Sequence, residues 1–209
     1  MLKGRTCLSL ALAIVAAACF ERSTLPTAVI EPPVSVEPEE IHILQQSPNA
    51  PPLTTYDTSF WVKKGKDAKL AVSYHPAPGQ TAGQAFLYFY LPKEGLIAGA
   101  AGQRLSKGDS VQLTLSIDST AFSVDFGPSG VQFSTKYAAR LTMCYENMDP
   151  DLNADGVVDA ADEALQQQLG VWYQAMEGSP WSQLPTSYDP ANPCLSAPLH
   201  HFSQYSVSW

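Results

Sequence analysis

Val111-Gln-Leu-Thr-Leu-Ser-Ile117 alternates apolar and polar residues without a break. A period of two places Val111, Leu113, Leu115 and Ile117 on one face of an extended segment, the pattern of a strand buried on one side. Phe122, Val124 and Phe126 follow the same rule, as do Leu141, Met143 and Tyr145. Phe86 to Leu91 is apolar throughout and predicts a central strand covered on both faces. Gly127-Pro128-Ser129-Gly130 and Glu177-Gly178-Ser179-Pro180 supply turn chemistry between such runs. Short strands punctuated in this way predict an all-β fold, an antiparallel β-sandwich over residues 59–209. One insertion at 149–170 departs from it: an acidic loop, then Ala160 to Leu169, rich in helix formers.

Composition narrows the function classes. The 209 residues carry 20 Asp and Glu against 12 Lys and Arg, a formal net charge of −8. An acidic chain without basic clusters argues against nucleic acid as a partner, because phosphate binding is dominated by Lys and Arg. No Gly-x-Ser-x-Gly elbow, His-Glu-x-x-His helix or phosphate-binding loop is present. The expectation is a protein that is not an enzyme. His42 and His75 fall among turn and linker residues and read as solvent-exposed. Trp61, Trp172, Trp181 and Trp209 could line a glycan-binding face or could belong to the core.

The N-terminus states a compartment. Lys3 and Arg5 precede an apolar run from Leu8 to Ala18, too short to span a bilayer in the mature protein, so residues 1–18 read as a secretory signal. The run ends Ala16-Ala17-Ala18-Cys19, which resembles a bacterial lipobox, and that resemblance implies a lipidated Cys19. Ordinary cleavage after Ala18 is the alternative. Without the signal, ten basic residues face twenty acidic ones, a net charge of −10. Residues 19–58, with seven prolines from Phe20 onward, read as a linker holding the domain off the membrane. Ile41 to Leu44 could form a short strand within it.

Cysteine usage fits export. With Cys7 in the signal and Cys19 at the anchor, Cys144 and Cys194 remain, and in an oxidising compartment they most simply form one disulfide. Two buried thiols are the other possibility. Zinc is disfavoured because the adjacent His200 and His201 lack ligand spacing.

The insertion reads Asp151-Leu-Asn153-Ala-Asp155-Gly156-Val157-Val158-Asp159-Ala-Ala-Asp162. A twelve-residue calcium loop needs oxygen ligands at positions 1, 3, 5, 7, 9 and 12 and a glycine at 6. Asp151, Asn153, Asp155, the Val157 carbonyl, Asp159 and Asp162 fill those positions, and Gly156 takes the sixth. Val158 is expected to point into the core. Four carboxylates in one loop repel one another unless a cation neutralises them, so calcium is the expected ligand and its role structural. An acidic turn that merely caps a helix is the alternative. The loop resembles the calcium-binding repeat of dockerin modules, which imply polysaccharide degradation. A dockerin carries two repeats, whereas this chain has one.

Val124-Asp-Phe-Gly-Pro-Ser-Gly130-Val-Gln-Phe133, Trp181-Ser-Gln-Leu184 and His201-Phe202-Ser203-Gln-Tyr205-Ser-Val207 together resemble the ZU-five domain. That family is a β-sandwich serving mostly as an interaction or spacer module, found also in bacterial surface lipoproteins. The resemblance covers roughly residues 85–209. It further implies a self-cleaving alternative, in which Ser203 attacks the Phe202 carbonyl while His201 takes the proton. The opposing reading makes Phe202 a core residue and Ser203 an outward residue on an edge strand. Taken together, the sequence leads to the expectation of an exported, lipid-anchored, calcium-binding module at a bacterial outer membrane or cell surface. Its partner would be a protein or a glycan.

Overall fold

From Ser110 to Ile117 exposed and buried residues alternate strictly, with Val111, Leu113, Leu115 and Ile117 turned inward. In the computed structural model, which describes residues 34–189 and 191–209, this strand lies one place in from the edge of a large sheet. The strands in chain order are β1 (Ser35–Val36), β2 (Asp57–Lys63), β3 (Ala68–Ser73), β4 (Ala85–Leu91), β5 (Leu96–Ala98), β6 (Ser110–Ile117) and β7 (Ser123–Gly127). There follow β8 (Gln132–Phe133), β9 (Ala139–Cys144), helix α1 (Ala160–Gln166), β10 (Gly170–Gln174), β11 (Trp181–Gln183), β12 (Ser187–Asp189), β13 (Cys194–Leu199) and β14 (Gln204–Ser208). A seven-stranded sheet runs β1-β11-β10-β14-β7-β6-β2, and a five-stranded sheet runs β12-β13-β9-β4-β3. Strands β5 and β8 pair separately, and all pairings are antiparallel. The all-β, sandwich-like architecture expected from period-two alternation is the one observed.

The apolar faces of the two sheets meet in one core. Phe89 of β4 lies at its centre, with ring centroids 5.8 Å from Phe60 of β2 and 5.4 Å from Phe126 of β7. Phe202 stacks on Phe126 at 5.1 Å and meets Phe133 edge-on at 5.0 Å. Aromatic rings bury much area apiece and add geometry-dependent attraction, so this cluster fixes how the sheets face each other.

Strand β4 corrects the reading of Phe86 to Leu91 as covered on both faces. Its neighbours are β3 and β9, yet Tyr88 is 47% exposed, because the outer face of this sheet is open. Tyrosine tolerates that position, offering an apolar ring and a wet hydroxyl. The consecutive burial of Phe86 and Leu87 has a local cause. The register with β3 shifts between Val72 and Ser73, leaving Phe86 unopposed at a bulge, so both residues reach the core.

The stretch read as a linker through residue 58 is also corrected. Leu44 is fully buried and Leu53 nearly so. The Leu44 N–H donates to the Val207 carbonyl at 2.9 Å, and its own carbonyl accepts from Phe122 N–H at 2.8 Å. Ser35 and Val36 pair with Ser182 and Trp181 of β11. Pro48, Pro51 and Pro52 therefore bend a segment that is anchored by leucines rather than extending a free tether. The Ile41–Leu44 strand reduces to an isolated bridge between Ile43 and Ser208. The signal at 1–18, Cys19 and the linker up to residue 33 lie outside the described residues.

Cys144 and Cys194 form the disulfide, directly opposite each other on β9 and β13. The Gly-Pro-Ser-Gly turn joins β7 to β8. Gly130 there has φ +89°, and a Cβ on it would sit 2.7 Å from the Ala101 nitrogen, so no other residue fits. Between β6 and β7 the Asp118 carboxylate accepts from Thr120 N–H at 2.7 Å, Thr120 hydroxyl at 2.8 Å and Ala121 N–H at 3.0 Å. Partial burial opposes its charge, but these donors prevail and hold the carboxyl below its ordinary value.

Three outcomes are expected. Phe89→Ala should cost about 3–5 kcal/mol in urea unfolding, the range for removing a core phenylalanine. Replacing both Cys144 and Cys194 by serine should cost about 2–4 kcal/mol, since the bridge closes a long loop across a separation of 50 residues. The depressed Asp118 contributes stability above the ordinary carboxyl range and loses it as pH falls through the folded value. The stability gap between wild type and Asp118→Asn should therefore narrow on acidification.

Candidate metal centre

Strand β9 belongs to the five-stranded sheet and β10 to the seven-stranded one, so the acidic insertion is the crossing between them. Its entry is held on both sides. Tyr145 N–H donates to the Pro193 carbonyl at 2.8 Å, Ser47 N–H to the Asn147 carbonyl at 2.9 Å, and Asp149 N–H to the Gln45 carbonyl at 2.9 Å.

The loop then winds on side-chain oxygens. Asp151 accepts from the N–H groups of Asp155 at 3.1 Å and Gly156 at 2.8 Å. Asn153 Oδ1 accepts from Asp155 N–H at 3.0 Å, and Asp155 Oδ1 from Val157 N–H at 2.8 Å. The Asn153 amide also donates to Asp155 Oδ2 at 3.1 Å. Gly156 sits at φ +86°, the left-handed conformation that the sixth position of such a loop requires. Asp151, Asn153 and Asp155 are thereby drawn together by a run of tight turns.

Asp159 and Asp162 begin the helix. The Asp159 carboxylate accepts from Ala161 N–H at 2.8 Å, and Asp162 returns a bond to Asp159 N–H at 2.8 Å, a capping box. Asp162 does more than cap. Its Oδ1 also accepts from Leu152 N–H at 2.7 Å and Asn153 N–H at 3.2 Å, so one buried carboxylate ties the start of the loop to its end. The Asp159 N–H chiefly, with those of Asn153 and Leu152, outweighs burial and holds the Asp162 carboxyl below its ordinary value.

Two expectations change. Val158 does not enter the core; it is 61% exposed, and Val157 is exposed beside it. Leu152, at the second loop position, is the buried residue instead. Spacing alone missed this because the loop's inner side is chosen by Asp162, which draws Leu152 inward by its backbone.

All the oxygen donors named from the sequence thus lie on one loop, and among the described residues no Lys or Arg pairs with its four carboxylates; the ion pair there is Lys93 with Glu94 at 3.6 Å. The described residues contain no group of three or more His, Cys, Asp or Glu side chains already converged on one point. The carboxylates are engaged by backbone N–H groups, each with lone pairs to spare. An all-oxygen donor set of this kind suits a hard dication.

His201-Phe202-Ser203 lies on the opposite crossing, from β13 to β14. Strand β14 is interior, between β10 and β7, which corrects the placing of Ser203 on an edge strand. Ser203 is buried, and its hydroxyl donates to the Gln174 carbonyl. The Phe202 carbonyl lies 3.4 Å from His201 Nδ1, and the His201 ring meets Tyr173 edge-on. Phe202 is a core residue. The Ser203 hydroxyl is thus engaged with the Gln174 carbonyl. Of the tryptophans, Trp172 and Trp181 are buried and Trp61 is exposed on β2, so the four do not line one exposed face. His42 and His75 are exposed as expected, His42 stacked on Trp209 at 5.6 Å.

Comparison with protein-family models, curated proteins and solved structures finds no match to this chain.

Asp162→Ala should lower the melting temperature and reduce the helical signal of α1, and more so than Asp151→Ala, because only Asp162 joins both ends of the loop. Intact-mass measurement should find one unbroken chain through Trp209; a break after Phe202 would show that Ser203 leaves Gln174 and attacks.

Proposed function

We propose that this is a non-enzymatic, calcium-binding module acting at a bacterial cell surface as an interaction or spacer domain, with calcium serving a structural role. The observation that carries the reading is the loop from Asp151 to Asp162, whose oxygen-bearing side chains, left-handed Gly156 and capped helix match the donor spacing of a calcium loop at every position. Its place supports a structural role. The loop is one of the covalent crossings between the two sheets, where ordering one segment supports strands of both. The Cys144–Cys194 disulfide supports export, since such bonds persist in oxidising compartments. Lipidation at Cys19 completes the reading by placing the module on a membrane surface, and the ZU-five resemblance agrees with a β-sandwich spacer.

Extracellular modules bind calcium with dissociation constants of about 10⁻⁴ to 10⁻³ M. At about 1 mM calcium and the tighter value, binding stabilises the fold by about 1.4 kcal/mol. Thermal unfolding of the purified protein in calcium and in EDTA, beside Asp155→Ala, is the test. The melting temperature should rise with calcium in the wild type and not in the variant. No rise in either would reduce the loop to an acidic helix cap.

A further inference from the structure

Helix α1, which closes the proposed calcium loop, also forms one wall of a cavity of about 510 Å³. The opposite wall comes from β12 and β13, with Leu169 and Leu195 contributing apolar surface. Two tyrosines line it. Tyr145 is 3% exposed, and Tyr188, on the outermost strand of its sheet, is 58% exposed, so one phenol is built into the fold and the other stands at the mouth. The helix supplies Glu163 and Gln166. The volume lies within the range of small-ligand sites, and the lining follows their usual composition: apolar surface with a few convergent polar groups.

The chemistry of those groups restricts the occupant. Burial foremost, with Tyr188 beside it, pushes the Tyr145 phenol up to about 12, and its hydroxyl is joined to Gln166 and Tyr188, so the three form one polar cluster on the cavity wall. Gln166 both donates and accepts, whereas Glu163 only accepts. Among the described residues no Lys, Arg or His lines the cavity, and Glu163 together with the chain's net charge of −8 disfavours an anion. A lone, exposed carboxylate such as Glu163 gives a cation little to bind, so a neutral molecule with many hydroxyls and an apolar ring face to lay against Tyr188 fits the lining best.

We propose that this cavity binds the neutral, polyhydroxylated end of a glycan, with Tyr188 as the stacking platform and Tyr145, Gln166 and Glu163 as hydrogen-bonding partners. The proposal rests on the reading of a surface interaction module and names its partner. It also ties the loop to recognition, because α1 begins at the loop's final residues and bears Glu163 and Gln166.

The test is calorimetric titration of the purified protein with maltohexaose, cellohexaose, xylohexaose and mannohexaose, with polygalacturonate as the anionic comparison, in calcium and in EDTA. At least one neutral hexasaccharide should bind in the micromolar to millimolar range, and polygalacturonate should not. Tyr188→Ala should weaken binding at least tenfold, and Gln166→Ala should weaken it measurably. Tyr88→Ala, on the open outer face of the five-stranded sheet, should leave it unchanged. Circular dichroism of each variant checks that the fold is retained; Tyr188 is exposed, so its removal leaves the core intact. Failure of all four neutral sugars, preference for the anionic polymer, or binding indifferent to Tyr188→Ala would overturn the proposal. Equal binding in calcium and EDTA would support the cavity while removing the loop from its account. A calcium-dependent melting temperature without sugar binding would overturn the cavity and leave the calcium reading standing.

Discussion

The contact between Phe89 and the rings facing it from the other sheet is the constraint on which the rest of this structure depends. A sheet is apolar on one face and must bury that face against something. Here Phe89 reaches across to Phe60 and Phe126, while Phe202 and Phe133 close the same cluster from two connecting segments. Because these two crossings, among the several between the sheets, are packed into this core, neither the acidic insertion nor the His-Phe-Ser segment is free to move independently of it. Leu152 and Leu169 bind the insertion to the core, and Phe202 binds the other crossing.

That arrangement divides labour between the ends of the loop. Leu152 and Leu169 anchor the insertion, while Asp151, Asn153 and Asp155 shape its turns. Asp162 stands between the two tasks, a carboxylate kept ionised by backbone donors and placed where the loop closes on itself. Asp151, Asn153 and Asp155 lie away from the core and carry oxygens still able to accept.

Sequence legibility followed the strength of the burial signal. The strands from Val111 to Ile117 and from Leu141 to Met143 were readable because one buried face imposes a period of two over several residues. The start of helix α1 was readable because helix-forming composition and capping are local. Strand β4 was misread because six apolar residues in a row carry no record of which face a second layer covers; only the bulge at Phe86 and the open side of the sheet decide it. The anchoring of residues 43–46 was hidden by prolines, which dominate a compositional reading although Leu44 alone dictates the packing. The cavity beside α1 was beyond reach for a related reason. Tyr145 reads as one more inward residue of an alternating strand, and nothing in the sequence around Tyr188 marks it; what joins them to Glu163 and Gln166 is the return of β12 and β13 alongside α1.

The segment from Ser35 to Gln46 has a mechanical consequence. Any load carried along the chain from upstream enters the sandwich through this strap before it reaches the core. Among the described residues, the first bonds to bear it are those of the two-residue ladder between β1 and β11, which can open one rung at a time. Beyond it lie the bonds of Leu44 to Val207 and Phe122, at the middle of the seven-stranded sheet. A weak outer fastening followed by a buried inner one lets the domain yield slightly under tension while its interior, and both crossings, stay in register.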